Sequence, residues 1–286
     1  SIRFKALSPD EKREAAGQLQ QHGLSQRSAC KVLELSRSVY AYRPDPSADD
    51  EVIAVLQELA ERFPERGFSK YFKVIRRRGL GWNHKRVYRV YCALNLNRRR
   101  IGKKRLPPRT PAPLTVPGQM NKSWSMDFMS DALWCGRRFR TFNVVDDFNR
   151  EILAIEIDLN LPAARVIRVL ERIVAWRGYP DKIRMDNGPE FIATVLADWA
   201  QQHNVELEFI EPGRPMQNGF IERFNRSYRE GVLDMYVFRT LEEVRERTEM
   251  WKNDYNEELP HDALGDLTPV EYRVLHHPET SSYGWH

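Results

Sequence analysis

Three acidic residues at unequal spacing, Asp127, Asp186 and Glu222, are the best placed to do chemistry. Asp127 sits in Trp124-Ser125-Met126-Asp127-Phe128, a short apolar run that reads as a strand. Asp186 closes Lys182-Ile183-Arg184-Met185-Asp186 and enters the turn Asn187-Gly188-Pro189. Glu222 lies in Asn218-Gly219-Phe220-Ile221-Glu222-Arg223-Phe224-Asn225, which reads as the start of a helix. Carboxylates brought together from two strands and a helix suit magnesium, a hard ion that takes carboxylate, water and phosphate oxygens. Two such ions about 3.5–4 Å apart activate an oxygen nucleophile and stabilise the leaving oxygen in an in-line displacement at phosphorus. Without cations the three charges repel, and at least one carboxyl takes a proton. The expectation is that Asp127, Asp186 and Glu222 are both the catalytic and the metal-holding residues, on two Mg2+ ions, with Mn2+ as a substitute.

Each acid also has a plainer reading. Asp127 would be a strand-edge charge, Asp186 a turn former, and Glu222 the partner of Arg226 one helical turn on. Asp146 and Asp147 rival the first position, but they fall where a hairpin turn is expected and read as turn residues. Asp131 is expected past the end of its strand, also in a turn. His203 reads as a capping or surface residue and His261 as structural or DNA-adjacent. Glu190 complements the dipole of a helix start.

The elements that must position the acids follow from periodicity. Residues 123–129, 138–145 and 152–157 read as strands of an antiparallel meander, with Phe139, Thr141 and Asn143 alternating along the second. Residues 162–176 show the helical spacing Val166, Val169, Leu170, Ile173. A short strand at 182–185, a helix at 191–202 and a strand at 205–210 follow. Three antiparallel strands and then alternating helices and strands predict an α/β fold with a mixed five-stranded sheet, in the ribonuclease-H-like order. In the Glu222 helix, Phe220, Ile221, Phe224 and Tyr228 form an apolar stripe. Asn218, Glu222, Asn225, Arg226 and Arg229 lie on the other side. The preceding loop, with Arg214 and Gln217, is expected to cover a DNA strand. Residues 240–256 read as a helix, and Thr268, Pro269 and Glu271 form a helix-start signature.

Ahead of the sheet the pattern is helical and basic. A helix at 10–22, a second opened by Ser25 and a short third from Arg37 to Tyr42 fit a helix-turn-helix, with Arg27, Lys31 and Arg37 outward. A plain helical hairpin fits equally well. Pro44 to Asp50 reads as a linker. Residues 51–63 are helical, and 68–78 are basic and aromatic. Asn83 caps a helix with Val87, Val90, Tyr91 and Leu94 inward and Lys85, Arg86 and Arg89 outward, a second candidate DNA reader. Arg98, Arg99, Arg100, Lys103, Lys104 and Arg105 lie in a proline-rich tether suited to a duplex backbone. The expected organisation is thus 1–45 helix-turn-helix-like, 46–97 helical and DNA-binding, 98–120 a basic linker, 121–275 the catalytic core and 276–286 a loose tail.

Charge supports that division. Residues 1–122 carry 26 Lys/Arg against 11 Asp/Glu, a net +15, and the remainder 19 against 29, a net −10. The front half suits phosphates and the back half uses carboxylates. No run of about 18 apolar residues marks a membrane span, and Ser1 to Lys5 lacks a secretory apolar stretch. Cys30, Cys92 and Cys135 are an odd, scattered set that outlines neither a disulfide framework nor a zinc cluster. A reducing cytosol is the expected location.

The acidic motifs resemble the DDE integrase core: Asp127, Asp186-Asn187-Gly188-Pro189-Glu190-Phe191, and Gln217 through Asn225. The surrounding sequence is similar to bacterial insertion-sequence transposases of the IS-three family, second-frame or fused product. Val145 to Glu151, Tyr255 to His261 and Asn83 to Arg89 extend the likeness, which spans about residues 20–275. Met216, Leu259 and Phe68 to Phe72 depart from the family pattern. The resemblance implies magnesium-dependent cleavage at the ends of a DNA element, followed by attack of a 3′-hydroxyl on another phosphodiester. It implies double-stranded DNA partners, both terminal inverted repeats and target, and a homo-oligomer bridging two ends. No first-frame segment is recognisable, so the chain is expected to be the catalytic part of a fused enzyme. Two other functions fit the same fold: an inactive DNA-binding regulator and a ribonuclease-H-type nuclease.

Overall fold

A computed structural model describes residues 7–41, 46–97, 116–188, 194–211 and 218–278. The chain divides into two compact units, Ser1–Ala54 and Val55–His286, with the division falling inside helix α4 (Asp50–Arg62). The first unit holds α1 (Pro9–Gln21), α2 (Gln26–Val32) and α3 (Arg37–Ala41). Ser8 and Glu11 close a capping box on α1, and Ser25 caps α2 through the Ser28 amide. Gly23, with φ +91°, makes the turn between them. Ala16, Ala29, Leu33 and Leu35 form a small core, and Arg27, Lys31 and Arg37 are exposed.

In the second unit, α5 (Phe68–Arg77) and α6 (His84–Ala93) precede the sheet. The basic, aromatic stretch is therefore a helix. Its Tyr71, Val74 and Ile75 are buried, as are Val87, Val90 and Tyr91 of α6. Asn83 caps α6 as expected. Lys85 and Arg89 are exposed, Arg86 is half-buried and Leu94 only half-buried.

The sheet contains β1 (Ser123–Ala132), β2 (Arg138–Asp146), β3 (Ile152–Asp158), β4 (Lys182–Met185) and β5 (Glu206–Phe209). Its order is β3-β2-β1-β4-β5. β1–β2 and β2–β3 pair antiparallel, while β1–β4 and β4–β5 pair parallel. This is the ribonuclease-H-like arrangement. β1 runs longer than its apolar pattern indicates, so Asp131 is a strand residue paired with Phe139, not a turn residue.

Both faces of the sheet are covered. On one, Trp124, Met126, Phe142, Val144, Ile183 and Met185 pack against α7 (Ala163–Arg177) and α8 (Thr194–Gln202). On the other, Phe139, Val145 and Ile157 meet Ile221, Phe224 and Tyr228 of α9 (Gly219–Tyr228). Val244 and Trp251 of α10 (Leu241–Asn253) complete that core. Burying each such side chain contributes about 1.5–3 kcal/mol. A π-helical turn, Arg229–Leu233, follows α9. Gly231 sits there because any Cβ would collide with the Trp251 indole. The last helix, α11 (Pro269–His276), begins with a Thr268–Glu271 capping box.

The cations of α5 do not all face outward. Lys70 donates to the Pro260 carbonyl and to Asp262, and Lys73 pairs with Asp262 at 2.6 Å and Asp266 at 2.5 Å. Arg77 pairs with Glu271, and Arg62 of α4 with Asp254. Part of the basic front half is thus spent on docking to an acidic C-terminal stretch. Its neighbours Lys70 and Lys73 hold the Asp262 carboxyl well below the usual range. Among the described residues no helix is long and apolar enough to cross a membrane.

Candidate active site

The β1–β4 register places the first two acids side by side. Ser123, Trp124 and Ser125 pair with Lys182, Ile183 and Arg184. Carried two residues on, the same register brings Asp127 level with Asp186, at the carboxyl end of β4. α/β sheets bind their ligands at that end. Asp127 pairs across β1–β2 with Asn143, and both point to the α9 side. Glu222 lies in the first turn of α9, where a carboxylate also complements the helix dipole.

Hydrogen bonds fix the first acid. Asn225 donates from Nδ2 to Asp127 Oδ2 at 2.7 Å, and Asn143 donates to Asn225 Oδ1 at 2.8 Å. The Phe128 amide donates to Asp127 Oδ1 at 2.8 Å. Asp186 accepts the Gly188 amide at 3.0 Å, so its turn-forming role is real. Asn187 donates to the Ile210 carbonyl, tying together the segments after β4 and β5. Glu222 is exposed and, among the described residues, forms no ion pair with Arg226.

Electrostatics link the three. Burial pushes the Asp127 carboxyl up to about 6, and the charges of Asp186 and Glu222 push in the same direction, against the Phe128 and Asn225 hydrogen bonds. No Lys or Arg pairs with any of the three among the described residues. They share a field without a closed ligand shell: among the described residues no three His, Cys, Asp or Glu side chains form a ready metal cluster. The donor set is oxygen only and its charge is unbalanced, which fits a hard divalent cation and does not fit a soft one.

Asp146 and Asp147 behave differently. Both are fully buried, with Glu151. Arg177 reaches Asp146 at 3.0 Å and Glu151 at 2.8 Å, and Arg273 approaches Glu151 at 3.3 Å. Although burial disfavours its charge, Glu151 and Asp146 raise the Arg177 pKa. Asp147 accepts from Ser123 and Ser125, and Arg184 lies 3.3 Å away. The expected hairpin turn is present, with the Phe148 amide on the Asp146 carboxylate and the Arg150 amide on the Asp146 carbonyl, but it did not reveal the arginines. These acids are a buried ionic framework.

The candidate DNA contacts scatter. Arg226 is exposed on α9. Asn218 is buried, at 3% exposure, and Arg229 is committed to Asp131 at 3.0 Å and to the Ser130 carbonyl. Arg98, Arg99, Arg100, Lys103, Lys104, Arg105, Arg214, Gln217 and Glu190 lie outside the described residues. His203 stacks on Tyr179, and His261 is buried against Tyr255. The reading of single motifs missed Asn143 and Asn225. Their signal was an amide on the inward face of β2 and another three residues after Glu222.

The integrase core domain family matches residues 117–215 and again 203–269, which enclose all three acids. An uncharacterized 31.7 kDa protein of insertion element IS407 from Burkholderia multivorans is 40% identical over 254 residues, covering 88% of this chain and 92% of the relative. A 39.2 kDa protein of insertion element IS476 from Xanthomonas euvesicatoria is 37% identical over 273 residues, covering 95% and 79%. The chain belongs to the IS-three family of insertion-sequence transposases. Low calcium response locus protein T of Yersinia pestis is 55% identical over 122 residues, 43% of this transposase chain and 87% of that protein. The magnesium-bound catalytic core of HTLV-2 integrase superposes with a TM-score of 0.45 at 15% identity, over 55% of this chain and 98% of its own. Membership in this family assigns the chain a transposition-related role and, in general terms, polynucleotidyl transfer.

Proposed function

We propose that this chain cleaves DNA at the ends of its insertion element and joins the freed 3′-hydroxyl to another phosphodiester. Asp127, Asp186 and Glu222 are the residues that would hold the metal. The observation that carries the reading is their shared, uncompensated charge at the end of the sheet, in a protein whose other buried acids are matched by arginines. Two bound Mg2+ would supply charge stabilisation at the attacking and leaving oxygens. The chain's own residues do the positioning. Asn225, held by Asn143, fixes the rotamer of Asp127, and the Asx turn at Asp186 fixes the second carboxylate. Asp127 loses its proton near pH 6 and is ionised at neutral pH, ready for a cation. Arg226, exposed one turn beyond Glu222, would meet a backbone phosphate. Duplex DNA is the partner this chemistry requires, and a homo-oligomer bridging two ends would let joining follow cleavage.

The test uses the intact chain, Mg2+ and a duplex copying the terminal repeat of the encoding element. The expected products are a nick at the element end and a joined strand, both lost in Asp186→Asn while binding remains. Equal binding with no cleavage by the unmodified chain would mark a DNA-binding regulator. Preference for an RNA–DNA hybrid would mark a ribonuclease.

A further inference from the structure

A cavity of about 360 Å3 opens beside α9, on the helix face next to the one that carries Glu222. Its volume lies within the roughly 300–1,000 Å3 of small-ligand sites. Four cations line it: Arg66, Lys70, Arg150 and Arg223. Two of them are already matched, Arg66 by Glu65 at 2.7 Å and Lys70 by Asp262 at 2.8 Å. The other two are not. The Arg150 guanidinium lies over the Phe220 ring, its Cζ 3.6 Å from the centroid, and its Nη1 is buried with no hydrogen-bond partner. Arg223 is exposed and pairs with no carboxylate among the described residues.

The opposite wall is aromatic and neutral. The Tyr255 and His261 rings meet edge to face with centroids 4.6 Å apart. Burial lowers the His261 pKa to about 4, partly offset by a hydrogen bond to the Tyr255 backbone, so the imidazole is uncharged. Its Nε2 is buried and has no partner. An unmatched guanidinium fork wants a phosphate, and an aromatic wall with an open ring nitrogen wants a base.

We propose that this cavity is a nucleotide subsite: Arg150 and Arg223 hold one backbone phosphate, and the Tyr255–His261 wall receives the attached base, unstacked from the duplex. The proposal rests on the transposase reading, because Arg223 adjoins Glu222 and the captured nucleotide would flank the cleaved phosphodiester. Its physical advantage is register. A nucleotide gripped by phosphate and base cannot slide along the strand, whereas phosphate contacts alone carry no sequence information. The cost of unstacking is smallest at an unpaired or terminal base.

The test is made in the Asp186→Asn chain, so that nothing is cut. Its affinity for the terminal-repeat duplex is measured by fluorescence anisotropy over a salt series. Single abasic nucleotides are placed in turn near the cleavage point. Arg223→Gln, at an exposed position, is expected to reduce the slope of log K against log salt by about 0.7–0.9, one phosphate's worth. One abasic position is expected to weaken binding about tenfold. That penalty should vanish in His261→Leu and shrink in Arg223→Gln, which keeps the test valid if His261→Leu does not fold. Unchanged salt slopes with the same abasic profile in every variant would overturn the subsite. If the unmodified chain still cuts and joins DNA in that case, only the subsite falls. If it neither binds nor cuts the duplex, the transposase reading falls with it.

Discussion

Two groups of acids gather at one sheet, and they have opposite surroundings. Asp146, Asp147 and Glu151 are buried and met by Arg177, Arg184 and Arg273. Asp127, Asp186 and Glu222 have more access to solvent and no basic partner among the described residues. Asp127 and Asp147 have carboxyls raised to the same value, about 6, with burial as the main cause in both. Their neighbours separate them. Around Asp147, two serines and Arg184 pull the value down against the charge of Asp146, whereas around Asp127 only the neutral Phe128 amide and Asn225 oppose the charges of Asp186 and Glu222. A shifted carboxyl alone does not mark an active site. A carboxyl raised beside like charges and lacking a basic partner points to a ligand site, because that arrangement costs stability unless a cation relieves it.

Breaking the matched group should have the largest effect. Arg177→Met leaves Asp146 buried without a counter-charge and Glu151 with Arg273 alone, and is expected to cost about 3–5 kcal/mol by urea unfolding. Glu222→Gln is the mirror case. Its exposed site predicts a stability change within about 0.5 kcal/mol, with cleavage reduced at least about 100-fold. A stable Arg177→Met, or a destabilised Glu222→Gln, would dissolve the contrast between the groups.

A smaller effect tests the positioning of Asp127. Asn225→Leu removes the donor to Asp127 and is expected to lower the cleavage rate about 10–100-fold, the range for partners that orient a metal ligand. Asn225→Gln, which keeps an amide, should recover part of it. Equal losses in both would show that the amide is only packing.

The smallest effect is in pH. Asp127 has a folded pKa of about 6, above its ordinary value of 3.8. The folded chain therefore holds a proton there that the unfolded chain has lost. Without metal, the contribution of Asp127 to stability is largest below about pH 4 and is lost as pH rises through about 6. Asp147 adds to the same decline. Asp127→Asn should flatten the curve by on the order of 1–2 kcal/mol over that window, read by thermal melts in chelator. An unchanged curve would mean that Asp127 is not under like-charge stress. Activity in Mg2+ should fall as pH drops through 6, when the proton competes for the carboxylate.

Local signals carried much of the fold. The period-two pattern of Phe139, Thr141 and Asn143 gave β2, and Val166, Val169, Leu170 and Ile173 gave α7. Ser25, Asn83, Thr240 and Thr268 mark helix starts because a short polar side chain caps a free amide nearby in the chain. Where neighbours were distant the pattern was silent. Asp131 looked like a turn residue, but pairing with Phe139 and contact with Arg229 hold it in β1. The motif Tyr255 to His261 gave no hint that Asn256 would bond both the amide and the carbonyl of Ile152, sealing β3 against the C-terminal segment.

By itself the sequence determined most of the strands and helices and singled out the three acids as candidates, because those rest on periodicity and on residue type. It also determined the charge imbalance between the halves of the chain. Only the tertiary structure decided which charges are matched. Arg177 lies far along the chain from Asp146, and the α5 lysines far from Asp262 and Asp266. Coulomb energy depends on separation in space and on burial, and linear distance along a chain encodes neither.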